Sequence, residues 1–181
     1  MRWLRYYWGQ IKQAHAKRRK DTSFRAVPFV DAILAATALP PSAYILCLGP
    51  RNGKELDVWN RRGYLNVIGL DLLPTRDRRI RWGDMHRMPF PGDTFDCLYA
   101  SHCFEHAWDF RQVAAEVVRV LKVGGWLFAA FPINFVPSSH DRICFGSVGG
   151  FLSDGAFVHT EKVWSRETPS EVSILLRLRN K

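Results

Sequence analysis

The sequence "YILCLGPRNGKEL", Tyr44 to Leu56, is an apolar run that passes directly into a loop containing two glycines. A buried strand followed by a glycine loop and a helix is typical of nucleotide sites. A dinucleotide loop needs a glycine two residues after the first, and that residue is Arg51 here. A P-loop is also disfavoured, because only three residues separate the glycines and Glu55 follows the lysine. The loop therefore favours a nucleoside ligand without a phosphate chain.

The rest of the chain repeats the alternation of apolar runs with helical or loop segments. Runs that are apolar on both faces, with helices between them, predict a parallel sheet covered on both sides. The further strands are predicted at "NVIGLD" (66–71), "IRW" (80–82), "FDCLYA" (95–100), "WLFAAF" (126–131), "AFVHTEKVWSR" (156–166) and "EVSILLRLR" (171–179). The last two are expected to meet at a turn at Thr168–Pro169. The predicted class is therefore α/β, a doubly wound, mainly parallel seven-stranded sheet.

Helical patterns precede the sheet and recur within it. Residues 1–20 and 24–39 are predicted helices, the second stopping at Pro40–Pro41. Asp109 with Gln112 is expected to cap a helix that ends at Gly124–Gly125. We therefore predict a helical extension over 1–40 and a ligand-binding domain over 41–181.

Composition places the chain among soluble globular proteins. Hydrophobic residues make up 47% of the 181 residues, and no uninterrupted apolar stretch approaches the roughly 18 residues that span a bilayer. The four cysteines are far apart and form no C-x-x-C pair, so neither a zinc cluster nor a disulfide framework is indicated. We expect a cytoplasmic protein.

The positive charge is concentrated in the first 20 residues. Seven bases precede the first acidic residue, Asp21, whereas the other 161 residues carry 19 bases and 17 acids. Aromatic side chains at Trp3, Tyr6, Tyr7 and Trp8 lie among these bases. Such an arm is able to dock on an anionic surface, RNA or a membrane, or to pack as a lid with its bases in water. The sequence leaves these alternatives open, as it does the oligomeric state.

Asp71 ends the second predicted strand, 18 residues after Gly53. A carboxylate at this place can accept hydrogen bonds from both hydroxyls of a ribose. The alternative is a helix cap or a solvated loop acid. Because a lone acid follows a buried strand, the ribose interpretation is favoured.

Four motifs in order resemble the class I S-adenosylmethionine-dependent methyltransferases, closest to the small-molecule group called type 11. They are "ILCLGPRNGKEL", "VIGLDLLP", "GDMHRMPFPGDTFDCLYASHCFEHAWD" and "EVVRVLKVGGWLFAAFP", within residues 44–132. The resemblance implies S-adenosyl-L-methionine as cofactor, a Rossmann-like fold and methyl transfer. The implied cofactor-binding residues are Gly49, Gly53, Asp71, Leu72, Asp84, Met85 and Ser101.

The resemblance implies that Asp84 accepts a hydrogen bond from the adenine amino group and that Met85 lies beside the adenine ring. The alternative for Asp84 is a structural residue of a turn. An ionised carboxylate only accepts hydrogen bonds, and an amino group donates them.

The sequence departs from the family at two positions. Cys47 replaces the acidic residue two before the first glycine, and Arg51 replaces the middle glycine. These departures raise the hypothesis of a methyltransferase-like binding or scaffolding domain.

The stretch "SHCFEHAWD" follows the fourth predicted strand and offers His102, Glu105 and His106 as catalytic residues. Either histidine is a candidate general base, since imidazole titrates near neutral pH, although a structural hydrogen bond explains each equally well. The cluster also resembles the Glu-x-x-Glu-His element of ubiquinone-pathway O-methyltransferases. That similarity suggests a divalent cation, but one loop is weak evidence, and we predict no metal.

The acceptor is the least constrained part of the prediction. The motifs favour methyl transfer to an oxygen or nitrogen of a small molecule or glycan-like acceptor. Base methylation in DNA is disfavoured, because neither an Asn/Asp-Pro-Pro-aromatic motif nor a Pro-Cys pair occurs. An RNA-directed methyltransferase and a nicotinamide-dependent oxidoreductase are weaker alternatives. His140 and Asp141 open the segment that helps form the acceptor pocket in related enzymes, a helix-capping turn being the alternative for Asp141.

Overall fold

A computed structural model describes residues 2–17, 19–73, 75–155 and 157–181, without the side chains of residues 2–6, 13, 14 and 17. Its elements are α1 Arg2–Lys17, α2 Ser23–Ala36, β1 Ile45–Leu48, α3 Lys54–Arg61, β2 Val67–Asp71, β3 Ile80–Trp82, β4 Phe95–Ser101, a 3-10 helix Phe104–His106, α4 Phe110–Val120, β5 Leu121–Pro132, α5 Val148–Asp154, β6 Thr160–Glu167 and β7 Glu171–Leu178. The helices and strands alternate as the sequence predicts.

The strands of the described residues form one seven-stranded sheet in the order β3-β2-β1-β4-β5-β7-β6. The first five strands in this order are parallel, and β7 is antiparallel to both β5 and β6. The predicted doubly wound, mainly parallel sheet is therefore confirmed. Strand order reverses at β1, which pairs with β2 on one side and β4 on the other. The carboxyl ends of these three strands meet at the point where such sheets bind ligands.

The core consists of two hydrophobic clusters on opposite faces of the sheet, since successive residues of a strand alternate between faces. In β1, Leu46 and Leu48 belong to one cluster, whereas Ile45 and Cys47 belong to the other. The first cluster is covered by α4 and α5, and the second by α2 and α3. Burial on both faces explains why these strands are continuous apolar runs in the sequence.

Helix α4 starts where the sequence predicts but ends earlier. Asp109 Oδ1 accepts from the Gln112 backbone N–H at 3.1 Å, which confirms the N-terminal cap. The predicted stop at Gly124–Gly125 is wrong, because the chain becomes extended at Leu121 and both glycines lie in β5. Pairing between strands β4 and β5 explains why α4 ends early. Leu121 already aligns with Phe95 of β4, and a register shift before Trp126 accommodates the glycines.

The two N-terminal helices differ in their packing. Helix α2 buries Ala26, Val30 and Ile33 in the same cluster as β1, although Pro28 lies inside the helix. In α1, Gln10 is buried and Trp8 is 62% exposed. The side chains of Arg2, Trp3, Arg5, Tyr6 and Lys17, and all of Arg18, which belong to the predicted basic arm, lie outside those described. The division at residue 40 stays a prediction. Among the described residues, no helix is both long and apolar enough to cross a membrane.

Candidate active site

A cavity lies at the carboxyl ends of β1, β2 and β4, and we call it the apolar cavity. Its lining residues are Gln10, Leu48, Gly49, Arg51, Leu70, Asp71, Leu72, Gly83, Met85, His102, Cys103 and His106. Four of them are among the predicted cofactor-binding residues, namely Gly49, Asp71, Leu72 and Met85. The structure therefore brings together side chains from three motifs that are separate in the sequence.

The loop after β1 keeps a glycine-like backbone in spite of Arg51. Gly49 and Gly53 have φ values of +66° and +77°, and Arg51 has a φ of +55°. All three lie in the left-handed region, which disfavours residues with a Cβ. A Cβ at Gly49 would also lie 3.1 Å from Cys103 Sγ. Arg51 therefore adopts a backbone conformation that a glycine would favour. Gly53 is not among the residues that line the apolar cavity.

Asp71 is the buried carboxylate of the apolar cavity and is only 8% exposed. Its Oδ2 accepts from the Arg51 backbone N–H and its Oδ1 from the Leu73 backbone N–H, both at 3.0 Å. Burial raises the pKa of Asp71, whereas these backbone hydrogen bonds act to lower it. Each carboxylate oxygen has further lone pairs that can accept from a ligand. Asp71 is thus fixed in place by the glycine loop on one side and its own loop on the other.

Asp84 is held by a histidine that the sequence did not single out. Asp84 Oδ1 lies 2.6 Å from His86 Nδ1, and His86 Nε2 accepts from the backbone N–H groups of Trp108 and Asp109. Because Nε2 accepts, the ring proton is on Nδ1 and is donated to Asp84. Burial acts to raise the pKa of Asp84, but hydrogen bonds from His86 outweigh it and lower the pKa. Asp84 itself does not line the apolar cavity.

Apolar and sulfur-containing side chains form the wall of the apolar cavity next to Asp84. Met85 is 8% exposed, and its Sδ lies 3.7 Å from Cys103 Sγ. Leu72 is half-buried, and its carbonyl accepts from Trp82 Nε1 at 3.0 Å. Gln10 of α1 also lines this cavity, and its Nε2 donates to the His140 carbonyl at 2.8 Å. Helix α1 therefore contributes to the same cavity as the strands.

A second cavity adjoins the first, and we call it the charged cavity. It is lined by Lys20, Thr22, Arg25, Gly49, Arg51, Glu55, Ser101, His102, Glu105, His106, Pro132 and Asp141. Gly49, Arg51, His102 and His106 line both cavities, so the two are neighbours. Of the predicted site residues, Ser101 and Glu105 line only the charged cavity.

Two glutamates of the charged cavity are buried. Glu55 is 4% exposed and Glu105 is 2% exposed. Burial raises the pKa of each carboxyl group to about 8. Thr22 lies close enough to Glu55 to oppose that rise, although the two side chains do not meet in hydrogen-bond geometry. Both groups therefore favour the neutral form at neutral pH while nothing stabilises their charge.

The two predicted catalytic histidines have different surroundings. His102 Nε2 lies 2.6 Å from Glu171 Oε2, and its Nδ1 lies 3.6 Å from Glu105 Oε1. His106 Nδ1 lies 3.0 Å from the His140 carbonyl and 3.1 Å from Asp141 Oδ1. Because a carbonyl only accepts, Nδ1 of His106 carries the proton, and in the neutral ring Nε2 carries the lone pair. The Nδ1 atom of His106 thus faces two oxygen acceptors, whereas the His102 ring lies between two carboxyl groups.

The three predicted catalytic residues, His102, Glu105 and His106, all line the charged cavity. Within the described ranges, no group of three His, Cys, Asp or Glu side chains is placed to hold a metal ion. His102 precedes the 3-10 helix and pairs with Glu171, whereas His106 ends that helix and lies beside Asp141.

Sequence reasoning missed several residues of the site. Glu55 was used only to exclude a P-loop, yet it is a buried carboxylate. His86 and Glu171 received no role, although each pairs with a predicted site residue. An acid two residues after Gly53, at the start of a helix, was the one local signal for Glu55. The partners of His86 and His102 become visible only when distant segments meet.

Known proteins carry the same fold and motifs. Residues 46–129 match the family model described as "Methyltransferase domain". The chain is 41% identical over 70 residues to the phthiotriol/phenolphthiotriol dimycocerosates methyltransferase of Mycobacterium tuberculosis, a match that covers 34% of this chain and 24% of that protein. It is 46% identical over 43 residues to a sterol 24-C-methyltransferase of Gibberella zeae, covering 24% of this chain and 11% of that protein. The chain thus spans about a quarter or less of the length of these relatives.

A solved structure extends the likeness of fold to nearly the whole chain. The Burkholderia thailandensis 1,6-didemethyltoxoflavin-N1-methyltransferase, with bound 1,6-didemethyltoxoflavin and S-adenosylhomocysteine, superposes with a TM-score of 0.72. The match covers 98% of this chain and 88% of that one at 15% identity. Residues 46–129 are thus similar in sequence to a methyltransferase domain, and the chain shares its fold with a methyltransferase of known structure.

Proposed function

We propose that this chain transfers a methyl group from S-adenosylmethionine to an oxygen or nitrogen of a small-molecule or glycan-like acceptor. The observation that carries the proposal is Asp71, a buried carboxylate at the end of β2 in the apolar cavity. Its position beside the glycine loop suits an adenosine whose ribose hydroxyls donate to it. The domain match over residues 46–129 supports the same function.

The remaining predicted cofactor contacts fit this arrangement as proposals. Met85 and Leu72 offer apolar surface for the adenine ring, and Asp84 offers its second carboxylate oxygen to the adenine amino group. Gly49 leaves room for backbone to approach the ligand, and Ser101 lines the adjoining charged cavity. Gly53 directly precedes α3, and a Cβ there would collide with the Asp77 carboxylate, so its role is to shape the loop.

His106 is the residue we assign as general base. Bound S-adenosylmethionine would supply a methyl group that is electrophilic because it is attached to a sulfonium. An acceptor oxygen or nitrogen that attacks this carbon displaces the neutral thioether and must lose a proton, which His106 Nε2 would take up. The His140 carbonyl and Asp141 hold the ring by Nδ1. Glu105 and His102 are then positioning residues of the same loop.

The basic arm is proposed to dock the enzyme on an anionic surface. Lys12, Arg19 and Lys20 are exposed, and so is Trp8, while Gln10 faces the apolar cavity. This arrangement allows α1 to cover the cavity with one face and contact an anionic membrane with the other. The relatives named for dimycocerosates and sterols favour a membrane over RNA. Salt-dependent binding to anionic liposomes, lost on deleting residues 1–20, tests this.

Calorimetric titration separates the candidate functions. We expect the wild-type chain to bind S-adenosylmethionine and S-adenosylhomocysteine and not to bind NAD. Binding of NAD alone would favour an oxidoreductase. If the wild-type chain binds neither S-adenosylmethionine nor S-adenosylhomocysteine, the methyltransferase proposal is excluded. Binding without methyl transfer to any of a panel of phenols, alcohols, amines and glycans would favour the scaffolding domain.

A further inference from the structure

The charged cavity contains buried oxygen atoms that have no hydrogen-bond partner. They are Thr22 Oγ1, Glu55 Oε2, Ser101 Oγ and Glu105 Oε2, all lining residues of this cavity. Among the described residues, Glu55 also forms no ion pair. A buried polar atom without a partner is costly, and a native protein rarely keeps several in one place. Their convergence therefore points to a ligand that donates several hydrogen bonds to carboxyl groups.

The same cavity carries positive charge on other walls. Lys20 precedes α2, Arg25 lies in its first turn, and Arg51 belongs to the glycine loop. The charges of Arg25 and Arg51 act on Glu55. A ligand with only a positive group would leave these bases unmatched, and one with only a negative group would leave the glutamates unmatched. A zwitterion, such as an α-amino acid group, satisfies both sets.

The position of the charged cavity identifies the molecule to which this group belongs. Gly49, Arg51, His102 and His106 are shared with the apolar cavity, in which we place the adenosine. A ligand can therefore extend from one cavity to the other past Gly49. S-adenosylmethionine carries an ammonium and a carboxylate at the end remote from its adenine.

We propose that Glu55 binds the α-ammonium group of the cofactor, with Arg25 and Lys20 facing the α-carboxylate. The proposal rests on the methyltransferase function argued above. A primary ammonium has three N–H donors, which match the unpartnered oxygens of Glu55, Glu105 and Ser101. Cys47 cannot supply the charge, because its side chain is fully buried in the second hydrophobic cluster. The carboxylate missing from β1 is thereby replaced by one from the first turn of α3.

The ionisation of these groups agrees with the assignment. Burial and the nearby Glu55 raise the pKa of the Cys47 thiol well above its usual range, so it stays neutral. The pKa of Glu55 is about 8, and a bound ammonium would stabilise its charged form.

The test compares S-adenosylhomocysteine with 5′-methylthioadenosine, which has the same nucleoside but no amino acid group. We expect Glu55→Gln to weaken binding of S-adenosylhomocysteine by about ten- to a hundredfold, because a hydrogen bond to a charged group is lost. Methylthioadenosine should bind the variant and the wild type equally. The control Glu161→Gln makes the same change at an exposed carboxylate in β6 and should alter neither affinity.

Two results would overturn the assignment. Unchanged affinity of Glu55→Gln for S-adenosylhomocysteine would show that Glu55 does not contact the ammonium. Equal weakening for both nucleosides would show that the substitution acts on the fold of the site instead. Neither result affects the proposed function, which is tested separately on the wild-type chain by binding of S-adenosylmethionine and S-adenosylhomocysteine and by methyl transfer.

Discussion

The two cavities at the carboxyl edge of the sheet hold their buried carboxylates in different ways. In the apolar cavity, each oxygen of Asp71 accepts a hydrogen bond from a backbone N–H. In the charged cavity, Glu55 and Glu105 each keep an oxygen without a partner. Asp71 is thus prepared by the protein, whereas the glutamates depend on a ligand for their partner. Under the proposed function, Asp71 offers the nucleoside a carboxylate that the fold has already placed, whereas the glutamates take their partner from the charged group of the ligand.

The largest expected effect is at His106, which lines both cavities. His106→Gln should lower the rate of methyl transfer by about 100- to 10,000-fold, because a general base contributes this much. Affinity for S-adenosylhomocysteine should change little, so the variant distinguishes the methyl-transfer step from cofactor binding. The measurement is radiolabelled methyl transfer to the panel of phenols, alcohols and amines. His159→Gln, at an exposed histidine, is the control. Full activity of His106→Gln would exclude it as the base.

The next effect tests the apolar cavity alone. Asp71→Ala should weaken binding of S-adenosylhomocysteine and of methylthioadenosine by the same factor, roughly a hundredfold or more, since hydrogen bonds to a charged acceptor are lost. Equilibrium titration of both ligands measures this. Asp154→Ala removes an exposed carboxylate from α5 and should leave both affinities unchanged. A loss confined to S-adenosylhomocysteine would mean that Asp71 serves the amino acid group rather than the ribose.

The charged cavity should give binding its pH dependence. Because Glu55 must ionise to pair with an ammonium and its pKa is about 8, affinity for S-adenosylhomocysteine should rise up to about tenfold between pH 6.5 and 7.5. Methylthioadenosine, lacking the ammonium, should show no such rise. The charged or titratable groups around Glu55 are Lys20, Arg25, Cys47, Arg51, Asp71, Tyr99, His102, Cys103, Glu105, His106 and Asp141.

The variant Glu55→Gln distinguishes Glu55 from these neighbours. The affinity of the variant for S-adenosylhomocysteine should rise much less with pH than that of the wild type. A variant with the wild-type slope would assign the titration to another group, Glu105 first among them.

The smallest effect is on stability. The pKa of Glu55 in the folded chain lies above its unfolded value, so the folded state holds its proton more tightly and loses stability as pH rises toward 8. Glu55→Gln should therefore raise the melting temperature without ligand by several degrees at pH 8.5 and leave it unchanged at pH 4.5. About 1 kcal/mol corresponds to roughly 2–4 °C in a chain of this size. A lower melting temperature at pH 8.5 would contradict the buried, unpaired state of Glu55.

Much of the fold was visible in the sequence because its signals are local. Strands buried on both faces are continuous apolar runs, so their order along the chain could be read directly. The glycine loop and Asp71 follow two such runs, and strand order alone brings them to one edge. The end of α4 was misplaced because pairing of Leu121 with β4 outweighs the glycine signal at 124–125.

The sequence by itself determined the sheet, the glycine loop and the carboxylate at Asp71, since each depends on a pattern within a few residues. Only the tertiary structure decided which side chains meet. His102 pairs with Glu171, 69 residues away, and His106 meets the His140 carbonyl, 34 residues away. The surroundings of Glu55 likewise come from distant segments, with Thr22 just before α2 and Tyr99 in β4. Such contacts depend on the packing of whole elements, and burial then sets the charge of each group, which no local pattern records.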